Sequence, residues 1–224
     1  MNSLKTNAFN LLTLLAMIGL SIYFYPQLPA EVATRFDWNG QPIQYSPKEQ
    51  QAVMMPGVFL LLLILVNALV RISPKKYSMP NTKRSIDSMN FAVGLMLLFI
   101  HLGMLLDPSG AEFGGVFPSW GMVALLIVMG NAFGKTERNF FLGIRTPWTI
   151  ASGKNWTATH RFAGKLMVGL GLVLALVTVF APSFIVAISF LIASRLVPIF
   201  YSYRFYLRQE KPLESTEDLD AGGD

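Results

Sequence analysis

Arg145, Trp148, Trp156, His160, Arg161 and Lys165 fall within one run, NFFLGIRTPWTIASGKNWTATHRFAGK (139–165). These are side chains that bind anions, titrate and stack. Arg145 and Arg161 suit bidentate contact with phosphate or carboxylate. His160 is of the type that titrates near neutral pH, and the two indoles offer flat faces. Gly143 and Pro147 interrupt any continuous helix, so 139–149 is expected to be an ordered irregular loop. Thr149 or Ser152 then caps a short helix. On it Trp156 and His160 share one face at i, i+4, and Arg161 and Lys165 share another. Two readings stay open: an interfacial elbow with rings toward lipid and cations toward phosphates, or a site for a ligand or partner.

Catalytic chemistry has little to stand on. Cysteine is absent, which removes thiolate nucleophiles and Cys-based metal sites. The chain has two histidines, His101 and His160. They are expected at different depths, one mid-membrane and one at an edge, so no two-His metal site forms. No Gly-x-Ser-x-Gly, Walker A or His-Glu-x-x-His run occurs. A non-enzyme with no catalytic residue, metal or cofactor is the expectation.

The elements that must position these residues are oily. Of 224 residues, 53% are hydrophobic and 14% charged, with mean hydropathy +0.47. An ordinary soluble domain carries about 25% charged residues. Six stretches are long enough to cross a bilayer, which takes roughly 20 apolar residues. They are 8–25, 52–70, 89–106, 116–133, 166–182 and 183–203, the last two forming a hairpin that turns near Ala181 and Pro182. The expected fold is an all-α polytopic membrane bundle of six transmembrane helices. The first span lacks a small-x-small cleavage site and ends in Tyr23-Phe24-Tyr25, an interfacial anchor, so it reads as retained.

Orientation follows from the basic residues. Of eighteen Lys and Arg, only Arg35 and Lys48 fall in one set of loops; Arg195 lies in a span and the rest fall in the other set. Positive loops stay inside, so both termini are expected in the cytoplasm, with residues 139–165 in a cytoplasmic loop and 26–51 facing outward. The net charge of +5 is then a topology signal rather than a nucleic-acid footprint. The basic loop with Pro74 and Pro80 fits the same role near anionic headgroups.

Two ionisable groups sit within spans, where such residues are costly and mark function. His101 can be satisfied, neutral, by one hydrogen bond across the bundle. Arg195 keeps its charge and lies three residues before Pro198, so it either faces a polar cavity or snorkels outward. No carboxylate lies within the six spans, which argues against a proton relay of Asp or Glu.

The outward loop carries Asp37-Trp38-Asn39-Gly40, a tight-turn signal. Val32, Thr34 and Phe36 alternate as a short extended segment leading into it. Phe36, Trp38, Asn39 and Gly40 are candidates either for a turn resting at the lipid interface or for contact with an external ligand. The chain divides into 1–51, first span and outward loop (extending to about 70); 52–115, two spans and the basic loop; 116–206, the last three spans with the 134–165 motif loop; and 207–224, an acidic tail expected to be disordered.

Asn139-Phe140-Phe141-x-Gly143-Ile144-Arg145-Thr146-Pro147-Trp148, then Trp156, Thr159-His160-Arg161 and Gly164-Lys165, resembles the signature of the SdpI-like membrane proteins. Gly130-Asn131-x-x-Gly134-Lys135 fits it too, and the resemblance covers roughly 120–200. Separately, Leu28-Pro29, Phe36-x-x-Asn39-Gly40 and Pro47-Lys48 are similar to a short domain of unknown function often found before that module. That domain often has a His just before the Phe, where this chain has Thr34-Arg35. The resemblance implies a multi-pass protein of the cytoplasmic (inner) membrane that protects its producer from a secreted, membrane-active peptide toxin. For the family's namesake it also implies holding a cytosolic ArsR-type repressor at the membrane. It marks Asn131, Asn139, Gly143, Thr146 and Pro147, with the six side chains above, as candidate binding residues. The alternative is a transporter or lipid-handling protein in which Arg145, Arg161 and Lys165 hold a lipid phosphate.

Overall fold

The computed structural model describes residues 3–37, 41–72, 80–110, 115–138 and 143–220. Its elements are α1 (Ser3–Phe24), β1 (Glu31–Phe36), β2 (Pro42–Pro47), α2 (Lys48–Ile72), α3 (Pro80–Leu106), α4 (Val116–Phe133), α5 (Pro147–Ala151), α6 (Gly153–Phe180) and α7 (Phe184–Asp220). Among the described residues, six helices, all of these but α5, are long and apolar enough to cross a membrane. Their unburied faces are aliphatic and aromatic: Ile22 is 70% exposed, Leu176 63% and Phe180 79%. A soluble protein would bury such a surface, whereas lipid tails cover it without cost. The protein is therefore a multi-pass α-helical membrane protein.

With an even number of spans, the starts of α1, α3 and α6 and the ends of α2, α4 and α7 share one end of the bundle. The loop between α4 and α6 closes that loop end. The β1–β2 hairpin closes the other.

The core runs through α3, α4, α6 and the start of α7, and includes Ala92, Leu126, Met167, Leu174 and Ala187. α4 and α6 approach backbone to backbone. A Cβ on Gly164 would lie 2.7 Å from the Gly130 carbonyl oxygen, and one on Gly130 would lie 2.9 Å from that of Gly164. Small residues permit such contact where no hydrophobic force drives helices together. A second cluster, Leu14, Met17 and Phe59, joins α1 and α2 to α3.

One element agrees with the sequence reading and others differ from it. The short capped helix runs directly on into the fifth span, as its position before that span implies, and the two form one continuous helix, α6. Ser152 is its N-cap, accepting from the Asn155 N–H at 3.2 Å. α7 runs on to Asp220, through residues whose acidic composition suggests a disordered tail. Extending a helix already nucleated in the span adds one bond per residue and needs no new nucleus. Asp87, just before the 89–106 span, lies inside α3 and is 2% exposed. Lys83, one turn earlier, pairs with it at 3.0 Å.

The outward loop is a two-stranded antiparallel hairpin. Its register slips between Ala33 and Arg35, so Thr34 has no residue opposite it. A bulge of this kind breaks strict alternation. Adjacent Val32 and Ala33 are both buried, at 0% and 1% exposed, in place of the alternating Val32, Thr34 and Phe36. Val32 packs with Leu28 and Leu105, and the Ala33 N–H donates to the Pro108 carbonyl at 2.8 Å.

Candidate functional site

Residues 143–152 fold back on the start of α6 because α6 presents polar hooks and the loop presents backbone. Trp156 and His160 do share a face, as their spacing requires, and stack with centroids 4.1 Å apart. They face the protein, not lipid: Trp156 is 2% exposed and His160 1%. The Trp156 indole N–H donates to the Thr136 carbonyl at 2.9 Å. His160 Nδ1 lies 2.8 Å from the Trp156 carbonyl, which can only accept, and Nε2 accepts from the Ile144 N–H at 3.0 Å. The ring is thus a neutral Nδ1–H tautomer with both nitrogens engaged. Its place in the site is that of a latch on the loop backbone.

Gly143 is the residue the latch demands. Its φ is +123°, and a Cβ there would collide with His160 Nε2 and lie 2.8 Å from the Trp156 ring. The side chain of Ile144 enters the core. Its carbonyl accepts from the Thr149 hydroxyl at 2.8 Å. Thr146 caps α5 in a reciprocal box with Thr149, and Pro147 takes the first helical position, where its missing N–H costs nothing. Trp148 donates to Ser202 Oγ on α7 at 2.8 Å and packs against Tyr203 and Tyr206. Asn155, fully buried, donates to the Ser202 carbonyl at 3.1 Å.

The cations separate into two groups. Arg145, exposed on the loop, lines a cavity of about 420 Å³ with Arg195, Met89, Met129, Phe133 and Ile199. Partial desolvation lowers the Arg145 pKa from the usual arginine value, yet a guanidinium stays charged. Arg195 faces inward: it donates to Met129 Sδ at 3.1 Å and its guanidinium sits 5.6 Å over the Phe133 ring. Arg161 and Lys165 lie elsewhere, with Lys135 and Asn131, along a groove between α4 and α6 floored by Gly130, Gly134 and Gly164. Lys135 there donates to Asn131 Oδ1 at 3.2 Å. The cluster of Arg145, Arg161 and Lys165 expected from the motif is not one site.

His101 is fully buried between α1 and α3, where its Nε2 lies 2.9 Å from Ser21 Oγ. Ser21 donates to the Ala52 carbonyl at 2.7 Å, so the imidazole is the donor of that first bond. Phe36 turns toward the bundle over Gly110 and lines a cavity of about 280 Å³ with Met55, Met104 and Phe184. Trp38, Asn39, Gly40 and Asn139 lie outside the described residues. Thr149, read from the sequence as a possible cap, is instead the N3 partner of the Thr146 cap, and Thr136, Asn155 and Ser202 belong to the same loop closure without having been singled out from the sequence. Asn155 and Thr159 share a face at i, i+4, a usable signal; Ser202 carries none.

Fold and site define a polytopic membrane protein whose loop end is locked by buried Trp and His. Residues 135–202 match the SdpI/YfhL protein family and residues 12–60 match a domain of unknown function (DUF1648). The chain is similar to the immunity protein SdpI of Bacillus subtilis (strain 168), 24% identical over 209 residues, covering 91% of this chain and 97% of that protein. No solved structure matches it. The chain thus resembles the SdpI-like membrane proteins, with the match to that short domain on its N-terminal side.

Proposed function

We propose that this chain is a non-enzymatic immunity protein, protecting its cell from a secreted, membrane-active peptide. The observation that carries the reading is similarity along nearly the whole length of a relative named as an immunity protein. The charge asymmetry supports a loop end in the cytoplasm and a hairpin outside. The peptide would then be met from the hairpin end, where the apolar cavity under Phe36 opens. The loop end would face the cytosol and a repressor of the ArsR type. His160 supports a non-enzymatic role, since both of its nitrogens are committed to backbone.

The test is survival. The full chain, expressed in a strain sensitive to such a peptide, should restore growth at toxin concentrations that kill the parent. Unchanged killing, with the protein present in the membrane fraction, overturns the reading.

A further inference from the structure

Among the described residues, neither Arg145 nor Arg195 has a carboxylate partner. Arg195 sits seven residues before Ser202 on α7, about 10 Å deeper into the bundle by the rise of a helix. Its contacts are a thioether and an aromatic face, neither of which carries a compensating charge. A guanidinium withdrawn from water is costly unless an anion joins it. Arg145 reaches the same cavity from the loop, so two cations from separate elements border one space with Met89, Met129, Phe133 and Ile199. Two guanidinium forks offer more donors than one planar carboxylate can use, and a tetrahedral phosphate accepts from both directions. Apart from Thr146 beside Arg145 on the loop, the remaining lining side chains are apolar, as an amphiphile requires.

We propose that this cavity is a phosphate site in which Arg145 and Arg195 clamp the headgroup phosphate of an anionic phospholipid. Met89, Met129, Phe133 and Ile199 receive the apolar part of the same molecule. The loop latch gains a purpose here: His160 holds the Ile144 N–H, which fixes the next residue, Arg145, over the cavity. The site is independent of the immunity reading, because lipid retention by purified protein and survival of cells are separate measurements.

The purified, delipidated full chain, titrated with phosphatidylglycerol or phosphatidylcholine, should retain one phosphatidylglycerol in native mass spectra. Arg145→Ala and Arg195→Met should each lower that affinity about tenfold or more, the scale of a charge-assisted hydrogen bond. Arg145→Lys should retain part of it. Arg161→Ala and Lys165→Ala, in the separate groove, should leave it unchanged. Inorganic phosphate supplies the second arm. If it binds with the same dependence on Arg145 and Arg195 while phosphatidylglycerol shows no advantage over phosphatidylcholine, the site stands and its occupant is soluble phosphate. Binding of neither probe, or loss confined to the Arg161 and Lys165 variants, overturns the proposal. Arg145→Ala alters an exposed loop side chain, so it decides the matter even if Arg195→Met fails to fold.

Discussion

The two ends of the bundle are closed by different chemistry. At the hairpin end the closure is largely backbone on backbone: β1 pairs with β2, and the Ala33 N–H reaches the Pro108 carbonyl. Side chains there add apolar packing by Val32 and Leu28. At the loop end the described residues form no ladder, and the irregular chain is tied by buried side chains that seize its backbone. Trp156 holds Thr136, His160 holds Ile144, and Thr149 holds both Ile144 and Thr146. Backbone pairing tolerates many sequences, because every residue but Pro brings the same groups. Side-chain latches tolerate few. The difference teaches that the Gly143–Trp148 run and the Trp156–His160 face of this chain are in large part the specification of a loop shape.

The strongest way to break this contrast is Gly143→Ala. The left-handed backbone penalises any Cβ, and the added methyl would meet His160 and Trp156. Strain and overpacking together should cost between about 2 and 6 kcal/mol. Thermal unfolding in detergent should show a large drop in Tm or failure to accumulate in the membrane. A variant as stable as the parent would mean that the loop is not held in this conformation.

Trp156→Phe is gentler, since it keeps an aromatic ring against His160. It removes the indole donor and strands the Thr136 carbonyl, at a cost of about 1–3 kcal/mol for a buried group left unsatisfied. The Tm should fall measurably but less than for Gly143→Ala. An unchanged Tm would show that Trp156 serves as bulk alone.

How much of this was legible in the sequence depends on the reach of each interaction. The six spans follow from apolar length, which is local, and the helices cover the expected stretches. The Trp156–His160 face follows from helical spacing. Its direction does not: basic and aromatic composition suits an interface as well as an interior, and only the packed loop decides for the interior. Partners far along the chain were invisible. Ser202 receives Trp148 and Asn155 from 54 and 47 residues away, and a serine on an oily helix advertises nothing. The same holds for Arg195 beside Arg145, where sequence proximity suggested Arg161 and Lys165 as companions. The bulge at Thr34 was hidden because alternation of residue types looks the same with or without a register slip.

That bulge allows the smallest and sharpest test of the two closures. Thr34 Oγ1 lies 3.0 Å from Ser46 Oγ across the hairpin. It is the side-chain tie at that end most like a latch, but it is only part-buried. Water can replace it once Thr34→Ala is made, so the loss should be about 0.5–1 kcal/mol, the net worth of an ordinary hydrogen bond. The Tm in detergent should move less than for Trp156→Phe. The ladder and the buried Val32 and Ala33 are untouched by the change, and they carry the closure. A loss equal to that of Trp156→Phe would mean that the hairpin too is shaped by its side chains, and the distinction between the two ends would fail.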